Sequence, residues 1–149
     1  MIAGVTAVVE ELVRVRLFAC LNQWQLKRLA KAVKVREFRP GVEVVKEGTM
    51  SGVGFFIVSE GEASVSVDGN EVATIGAGDH FGELALITEG ERTATITAVT
   101  RLRCLVIAIW DFRRFAKENP DVSWALLQHL ASLLTGERER RSRAAALQA

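Results

Sequence analysis

The amino-acid sequence predicts a mainly β domain, a small sandwich or barrel of jelly-roll type with helices at both ends. Three observations carry the prediction. Short runs of β-type residues fill the middle of the chain, at 35–38, 42–46, 53–59, 62–67, 71–75, 93–99 and 102–109. Turn chemistry separates most of them: Pro40-Gly41, Gly48, Gly52, Glu60-Gly61, Asp68-Gly69 and Gly76-Ala77-Gly78-Asp79. Before residue 33 and after residue 109, apolar residues recur instead at helical spacing.

Residues 5–18 set Val8, Val9, Leu12, Val13, Val15 and Leu17 among Glu10, Glu11, Arg14 and Arg16, a near-helical pattern that ends around Leu17-Phe18. Asn22, with Gln25 three residues on, is a variant of the capping box and starts a second helix. The apolar set of that helix is Trp24, Leu26, Leu29, Ala30 and Val33. Its outer side carries Lys27, Arg28, Lys31 and Lys34, a basic stripe read as a solvated face. In the β region, Asp68-Gly69 lies between Ser64-Val65-Ser66-Val67 and Glu71-Val72-Ala73, the signature of a type I′ hairpin. After Ile109, Asp111 can cap a short helix through Phe112, Phe115 and Ala116. Asn119-Pro120 then starts the last helix, with Asn as N-cap, Pro at the first helical position and Asp121 suiting the dipole. Trp124, Leu127, Ala131 and Leu134, flanked by Leu126, Leu130 and Leu133, make a stripe wider than packing on a barrel requires. The helix ends in the charged run 137–143 and fades into an Ala-rich tail.

With 149 residues, 49% hydrophobic and 25% charged, the chain can bury a proper core as one domain. A net charge of +1 offers no general electrostatic case for nucleic acid or an anionic membrane. Few aromatic residues and no Tyr argue against a base-stacking platform. The apolar run from Cys104 to Trp110 is too short to span a bilayer, and an N-terminus that meets Glu10-Glu11 without a basic leader is a poor signal peptide. Cys20 and Cys104 stand in apolar surroundings without CxxC spacing and are expected as buried free thiols in a reducing cytosol. Trp24, Trp110 and Trp124 are expected as packing anchors. His80 and His129 are the only histidines and lie far apart in sequence, so packing or surface roles are expected and no metal. No Ser/His/Asp or Cys/His set stands out, and no enzymatic activity is expected.

The chemistry concentrates at residues 81–96. By parity, Arg92, Ala94, Ile96 and Ala98 share one strand face and Thr93, Thr95 and Thr97 the other. The apolar face points inward, so Arg92 starts on the inward side, and an unpaired buried guanidinium costs several kcal/mol. Gly82 allows close backbone approach, and the amides of Glu83, Leu84 and Ala85 would be open at the start of a short helical turn, which suits an anion. Arg92 can take a phosphate by two parallel hydrogen bonds, and the Thr93 hydroxyl could add one. Glu83 only accepts, so it suits a sugar hydroxyl. A phosphate on a ribose satisfies this set; so does an Arg92–Glu83 ion pair that closes the barrel with no ligand.

Phe81-Gly82-Glu83-Leu84-Ala85-Leu86-Ile87 followed by Arg92-Thr93-Ala94-Thr95-Ile96 resembles the phosphate-binding cassette of cyclic-nucleotide-binding domains. These are the sensor domains of catabolite-activator regulators, protein kinase A regulatory subunits and cyclic-nucleotide-gated channels. Leu17-Phe18, Glu47-Gly48, Phe56-Ile57-Val58-Ser59-Glu60-Gly61 and Gly76-Ala77-Gly78-Asp79-His80 fall where the family has matching turns and strands. The resemblance implies an eight-stranded β-roll: N-terminal helices over 1–33, the roll over 34–110 with its cassette at 81–95, and two C-terminal helices over 111–141. It implies that Arg92 and the cassette backbone at Gly82, Leu84 and Ala85 hold the cyclic phosphate, that Glu83 holds the ribose 2′-hydroxyl, that Thr93 adds a hydroxyl and that Val67 packs on the base. The implied ligand is cAMP, with cGMP left open because Thr93 is also compatible with the guanine amino group. The family's last helix closes over the base, which puts Leu133, Leu134, Glu137 and Arg138 in the region of that lid.

The expected function is a ligand-sensing regulatory domain that binds a cyclic nucleotide and transmits this by repositioning its last helix. The apolar stripe on that helix would meet the ligand, a second copy of the chain or an output domain. One alternative is an interaction module that keeps the fold without binding nucleotide. Another is the sensor half of a DNA-binding regulator. The latter needs a helix-turn-helix after the last helix, and the chain stops about ten residues past Arg138, so no direct nucleic-acid contact is expected. The expected setting is cytoplasmic, free-standing or as the cytosolic domain of a membrane protein, with no membrane contact within these residues.

Overall fold

The computed structural model describes residues 2–48, 54–82 and 92–148. Helix α1 (Ile2–Val13), a 3₁₀ turn (Arg16–Phe18) and α2 (Gln23–Ala30) come first. Strands β1 (Val33–Phe38), β2 (Glu43–Val45), β3 (Gly54–Glu60), β4 (Ala63–Val67), β5 (Asn70–Ile75), β6 (His80–Phe81), β7 (Thr95–Ala98) and β8 (Leu102–Ala108) follow. Helices α3 (Ile109–Glu118) and α4 (Pro120–Gln148) come last. The strands form two four-stranded antiparallel sheets, in the orders β1-β8-β3-β6 and β2-β7-β4-β5. This is the mainly β, eight-stranded roll with helices at both ends that the sequence predicts.

Strand β3 shows how the layers stack. All of Gly54 to Val58 are buried, which a strand with one wet face cannot achieve. Phe55 and Ile57 point to the helices, where they meet Phe18, Leu26, Leu29, Phe112, Val122 and Leu126. Phe56 and Val58 point the other way, to Val45, Phe81, Ile96 and Ala98 between the sheets. The first sheet is therefore covered on both faces, by helices outside and by the second sheet inside. Rings fill both layers: Phe18 meets Phe55 edge-on at 6.0 Å, and Phe56 stacks on Phe81 at 4.8 Å. Truncating a ring buried this deeply costs about 3–5 kcal/mol.

Local signals were realised where they are self-contained. Asn22 Oδ1 accepts from Gln25 N–H at 2.8 Å and Gln25 Oε1 accepts from Asn22 N–H at 2.9 Å, a complete capping box. Val67 pairs with Asn70 across a turn in which Asp68 has φ 53° and Gly69 φ 80°, the left-handed pair a type I′ turn demands. A polar latch fastens α1 to the first sheet: Arg103 Nη1 donates to Ser59 Oγ, Ser59 Oγ donates to Glu11 Oε1 at 2.6 Å, and Arg103 pairs with Glu11 at 3.5 Å.

Several expectations need correction. The first helix stops at Val13, and Leu17-Phe18 belong to the separate 3₁₀ turn, which sends both side chains into the core. Val33 opens β1 rather than closing α2. Asp111 lies inside the first turn of α3, whose N-cap position is Ala108. The buried Asn119 precedes Pro120 as expected, but its side chain donates to the Phe115 carbonyl at 2.9 Å and accepts from Gln25 Nε2 at 2.7 Å. It ties α2 to the α3–α4 corner. The expected tryptophan anchors are on the surface: Trp24 is 63% exposed, Trp110 62% and Trp124 64%. Trp24 lies under the Arg28 guanidinium, and Arg28 pairs with Glu118 at 2.8 Å. Cys104 is buried, but Cys20 is exposed. Helix α4 continues to Gln148, well past the expected fading point. Its apolar residues divide: Val122, Leu126 and Leu130 pack on the core, whereas Trp124, Leu127, Ala131 and Leu134 face outward. Among the described residues no helix is long and apolar enough to cross a membrane.

Candidate functional site

Arg92 is the charged residue the sequence places on an inward face, and three elements meet around it. β7 begins only at Thr95, so Arg92 stands before the strand rather than at its first position as expected. The inward parity nonetheless carries through: Ile96 and Ala98 are buried, Ala94 and Arg92 partly so, and Thr93 is exposed. The guanidinium reaches across the roll to the start of β3, where Nη2 donates to the Gly54 carbonyl at 3.2 Å. Burial draws the Arg92 pKa below its ordinary value, yet an arginine keeps its charge at neutral pH.

The end of β6 completes the convergence. Gly82 has φ +93°, and a Cβ there would lie 2.6 Å from the Gly54 carbonyl oxygen and 3.0 Å from Arg92 Nη1. Two facts thus require glycine here: a left-handed backbone and the absence of room. β6 itself, only His80 and Phe81, was missed in sequence because two residues carry no period to read. Its pairing with Phe56 and Ile57 of β3 fixes Gly82 beside Gly54.

The remaining expected residues divide. Val67 ends β4, partly buried, next to the hairpin turn. Glu83, Leu84, Ala85 and the expected short helical turn lie outside the described residues, as do the outcomes for the proposed Arg92–Glu83 pair and the cassette amides. The same holds for the side chains of the lid candidates Leu133, Glu137 and Arg138; Leu134 faces solvent. Sequence reasoning missed the Gly54 carbonyl, since no residue pattern announces a main-chain acceptor 38 positions away. It also treated His80 and His129 as distant. The fold brings their rings edge to face at 5.6 Å, joining β6, just before Gly82, to the core-facing side of α4. Among the described residues no group of three or more His, Cys, Asp or Glu side chains could hold a metal ion.

The class of protein is thus an eight-stranded roll with helices at both ends, in which Gly82, a strand carbonyl and a partly buried arginine converge. The family model for the cyclic nucleotide-binding domain matches residues 35–119, more than half of the chain, and the chain belongs to that family. It is 38% identical over 96 residues to a cGMP-dependent protein kinase of Toxoplasma gondii, an alignment covering 64% of this chain and 10% of the kinase. Its fold matches the cAMP-bound regulatory domain of Toxoplasma gondii PKA with TM-score 0.75 and 28% identity, covering 88% of this chain and 51% of the other. The catabolite activator protein of Thermus thermophilus matches with TM-score 0.78 and 24% identity, covering 87% and 63%. The chain spans only part of these relatives' length.

Proposed function

We propose that this domain binds cAMP and signals its occupancy through α4. The observation that carries the proposal is the Arg92 guanidinium, lodged inside the roll between Gly82 and the Gly54 carbonyl. A desolvated cation beside a glycine-led loop suits a phosphate, which can accept two parallel hydrogen bonds from it. In this reading Arg92 and the backbone at Gly82, Leu84 and Ala85 take the cyclic phosphate. Glu83 takes the ribose 2′-hydroxyl, Thr93 adds a hydroxyl and Val67 packs on the base. The Thr93 hydroxyl is also compatible with the guanine amino group, so cGMP stands as a second ligand. The PKA regulatory domain similar to this chain is described with cAMP, and the similar kinase is cGMP-dependent. That contrast makes ligand selectivity the first quantity to measure.

Helix α4 is the output element in this reading. Its inner side rests on the helical core, and His129 touches His80 two residues before Gly82. His80 directly precedes the cassette, so its contact with His129 offers a short route from the cassette to α4, and in this reading the ligand biases two positions of the helix. The outward seam of Trp124, Leu127, Ala131 and Leu134 repeats at spacings of three and four, which suits a second copy of the chain or an output domain. We place the domain in the cytoplasm as a single unit, free-standing or attached to a longer protein, acting by binding rather than catalysis.

The test is thermal stability with cAMP, cGMP and 5′-AMP for the unsubstituted chain and Arg92→Ala. Ligand at one hundred times its dissociation constant adds roughly 2.7 kcal/mol, or about 5–10 °C for a chain of this size. Arg92→Ala should abolish the shift. No shift with any cyclic nucleotide overturns the proposal, and equal shifts with cAMP and 5′-AMP redirect it to a different phosphate ligand.

A further inference from the structure

Arg92 is held in place without a β-ladder. β7 starts at Thr95, so residues 92–94 lie outside the strand pairing of the second sheet. The strands flanking β7 run past that point: the chain leaving β2 reaches Glu47-Gly48, and the chain leaving β4 reaches Asp68. Three hydrogen bonds from Glu47-Gly48 take the place of the ladder. The Glu47 N–H donates to Thr95 Oγ1 at 3.0 Å, and the Gly48 N–H donates to the Arg92 carbonyl at 2.9 Å. The Glu47 side chain then crosses to the hairpin, where Oε2 accepts from the Asp68 N–H at 2.9 Å.

That last bond joins two parts of the roll that no strand pairing connects. β2 and β4 are separated by β7 in the sheet, and beyond the start of β7 the Glu47 carboxylate bridges them. Asp68 carries the left-handed φ of 53° of the type I′ turn, and Val67 is its neighbour in the chain. Glu47 thus holds the hairpin tip on the side of Val67, while the adjacent Gly48 holds the main chain of Arg92.

We infer that Glu47 is a positioning residue that sets the separation between the phosphate side and the base side of the site before a ligand arrives. The inference rests on the proposed nucleotide site. Holding both sides in advance spares the ligand the cost of ordering them, so the effect belongs in affinity. The chemistry makes three substitutions distinguishable. Alanine removes the acceptor. Glutamine keeps a carbonyl oxygen at the same reach. Aspartate keeps the charge but is one methylene too short.

The experiment compares Glu47→Ala, Glu47→Gln and Glu47→Asp in the full chain, reading cAMP affinity by calorimetry, Asp68 amide exchange by NMR and the melting temperature without ligand. Glu47→Ala should weaken cAMP about tenfold, the cost of ordering the released hairpin tip on binding. It should also speed exchange at Asp68 while the ligand-free melting temperature moves by less than about 3 °C. Glu47→Asp should behave like Glu47→Ala, and Glu47→Gln should stay within about twofold of the unsubstituted chain. Unchanged affinity or unchanged Asp68 exchange in Glu47→Ala overturns the inference. So does a parallel fall of affinity and melting temperature in Glu47→Ala and Glu47→Gln alike, which would mark a structural role only. If the unsubstituted chain binds no cyclic nucleotide, the nucleotide reading fails first, and the inference falls with it.

Discussion

Gly82→Ala is the substitution whose cost the geometry sets most directly. The backbone there has φ +93°, and an added Cβ would lie 2.6 Å from the Gly54 carbonyl oxygen. The left-handed backbone alone costs an alanine about 1–2 kcal/mol. The contact is with main chain, in a strand buried on both faces, so it cannot be relieved by turning a side chain. Moving that carbonyl also disturbs the bond it accepts from Arg92 at 3.2 Å. Together these effects should total about 2–4 kcal/mol, a fall of about 5–12 °C in melting temperature for a chain of this length. Gly69→Ala is the control: φ is +80° there, but nothing lies within 4 Å of the new Cβ. It should lose only the backbone part, about 1 kcal/mol. Urea unfolding of both variants with the unsubstituted chain separates the two contributions. If Gly82→Ala and Gly69→Ala lose the same amount, the crowding at Gly82 is refuted; if neither loses stability, the left-handed assignment is refuted as well.

Two further outcomes follow from the distribution of burial. Burial pushes the Cys104 thiol up to about 11 from an ordinary value of 9.0. A raised folded value leaves stability intact below pH 9, where both states keep the proton, and removes it as pH rises toward 11, because the unfolded chain ionises first. That amounts to about 2–3 kcal/mol; urea midpoints at about pH 8 and pH 11 should fall more steeply for the parent than for Cys104→Ala, and parallel curves contradict the reasoning. In the native chain a thiol reagent should modify the exposed Cys20 and reach Cys104 only on unfolding. On α4, Leu126→Ala should cost about 2–4 kcal/mol while Trp124→Ser stays within about 0.5 kcal/mol, since Leu126 is buried and Trp124 faces solvent. Equal costs by chemical denaturation would mean that the two faces of the helix are misassigned.

What the sequence determined by itself is local. The Asn22–Gln25 box closes within four residues, and the Asp68-Gly69 turn needs only two residues that tolerate positive φ. A small sandwich or barrel of jelly-roll type was legible because short β-type runs between turn residues leave few other ways to bury their apolar faces, and the eight-stranded roll was implied by the resemblance of the Gly82–Arg92 motif. The motif around Gly82 and Arg92 was legible for a related reason: an arginine on an inward face demands an anion or an acceptor. Tertiary structure alone decided which acceptor the described residues offer, the main-chain carbonyl of Gly54. It also decided that Trp24, Trp110 and Trp124 lie outside, that Cys20 is exposed, and that His80 meets His129. A residue's size and polarity state a preference for burial, but the space is allotted by packing among elements distant in sequence. Phe18, Phe55 and Phe112 fill the helical core, and tryptophans with helical spacing are left at its edge. The same rule governs the site. Gly54, Gly82 and Arg92 come from three separate segments: the pairing of β6 with β3 sets Gly82 beside Gly54, and Arg92 reaches both from ahead of β7 in the other sheet.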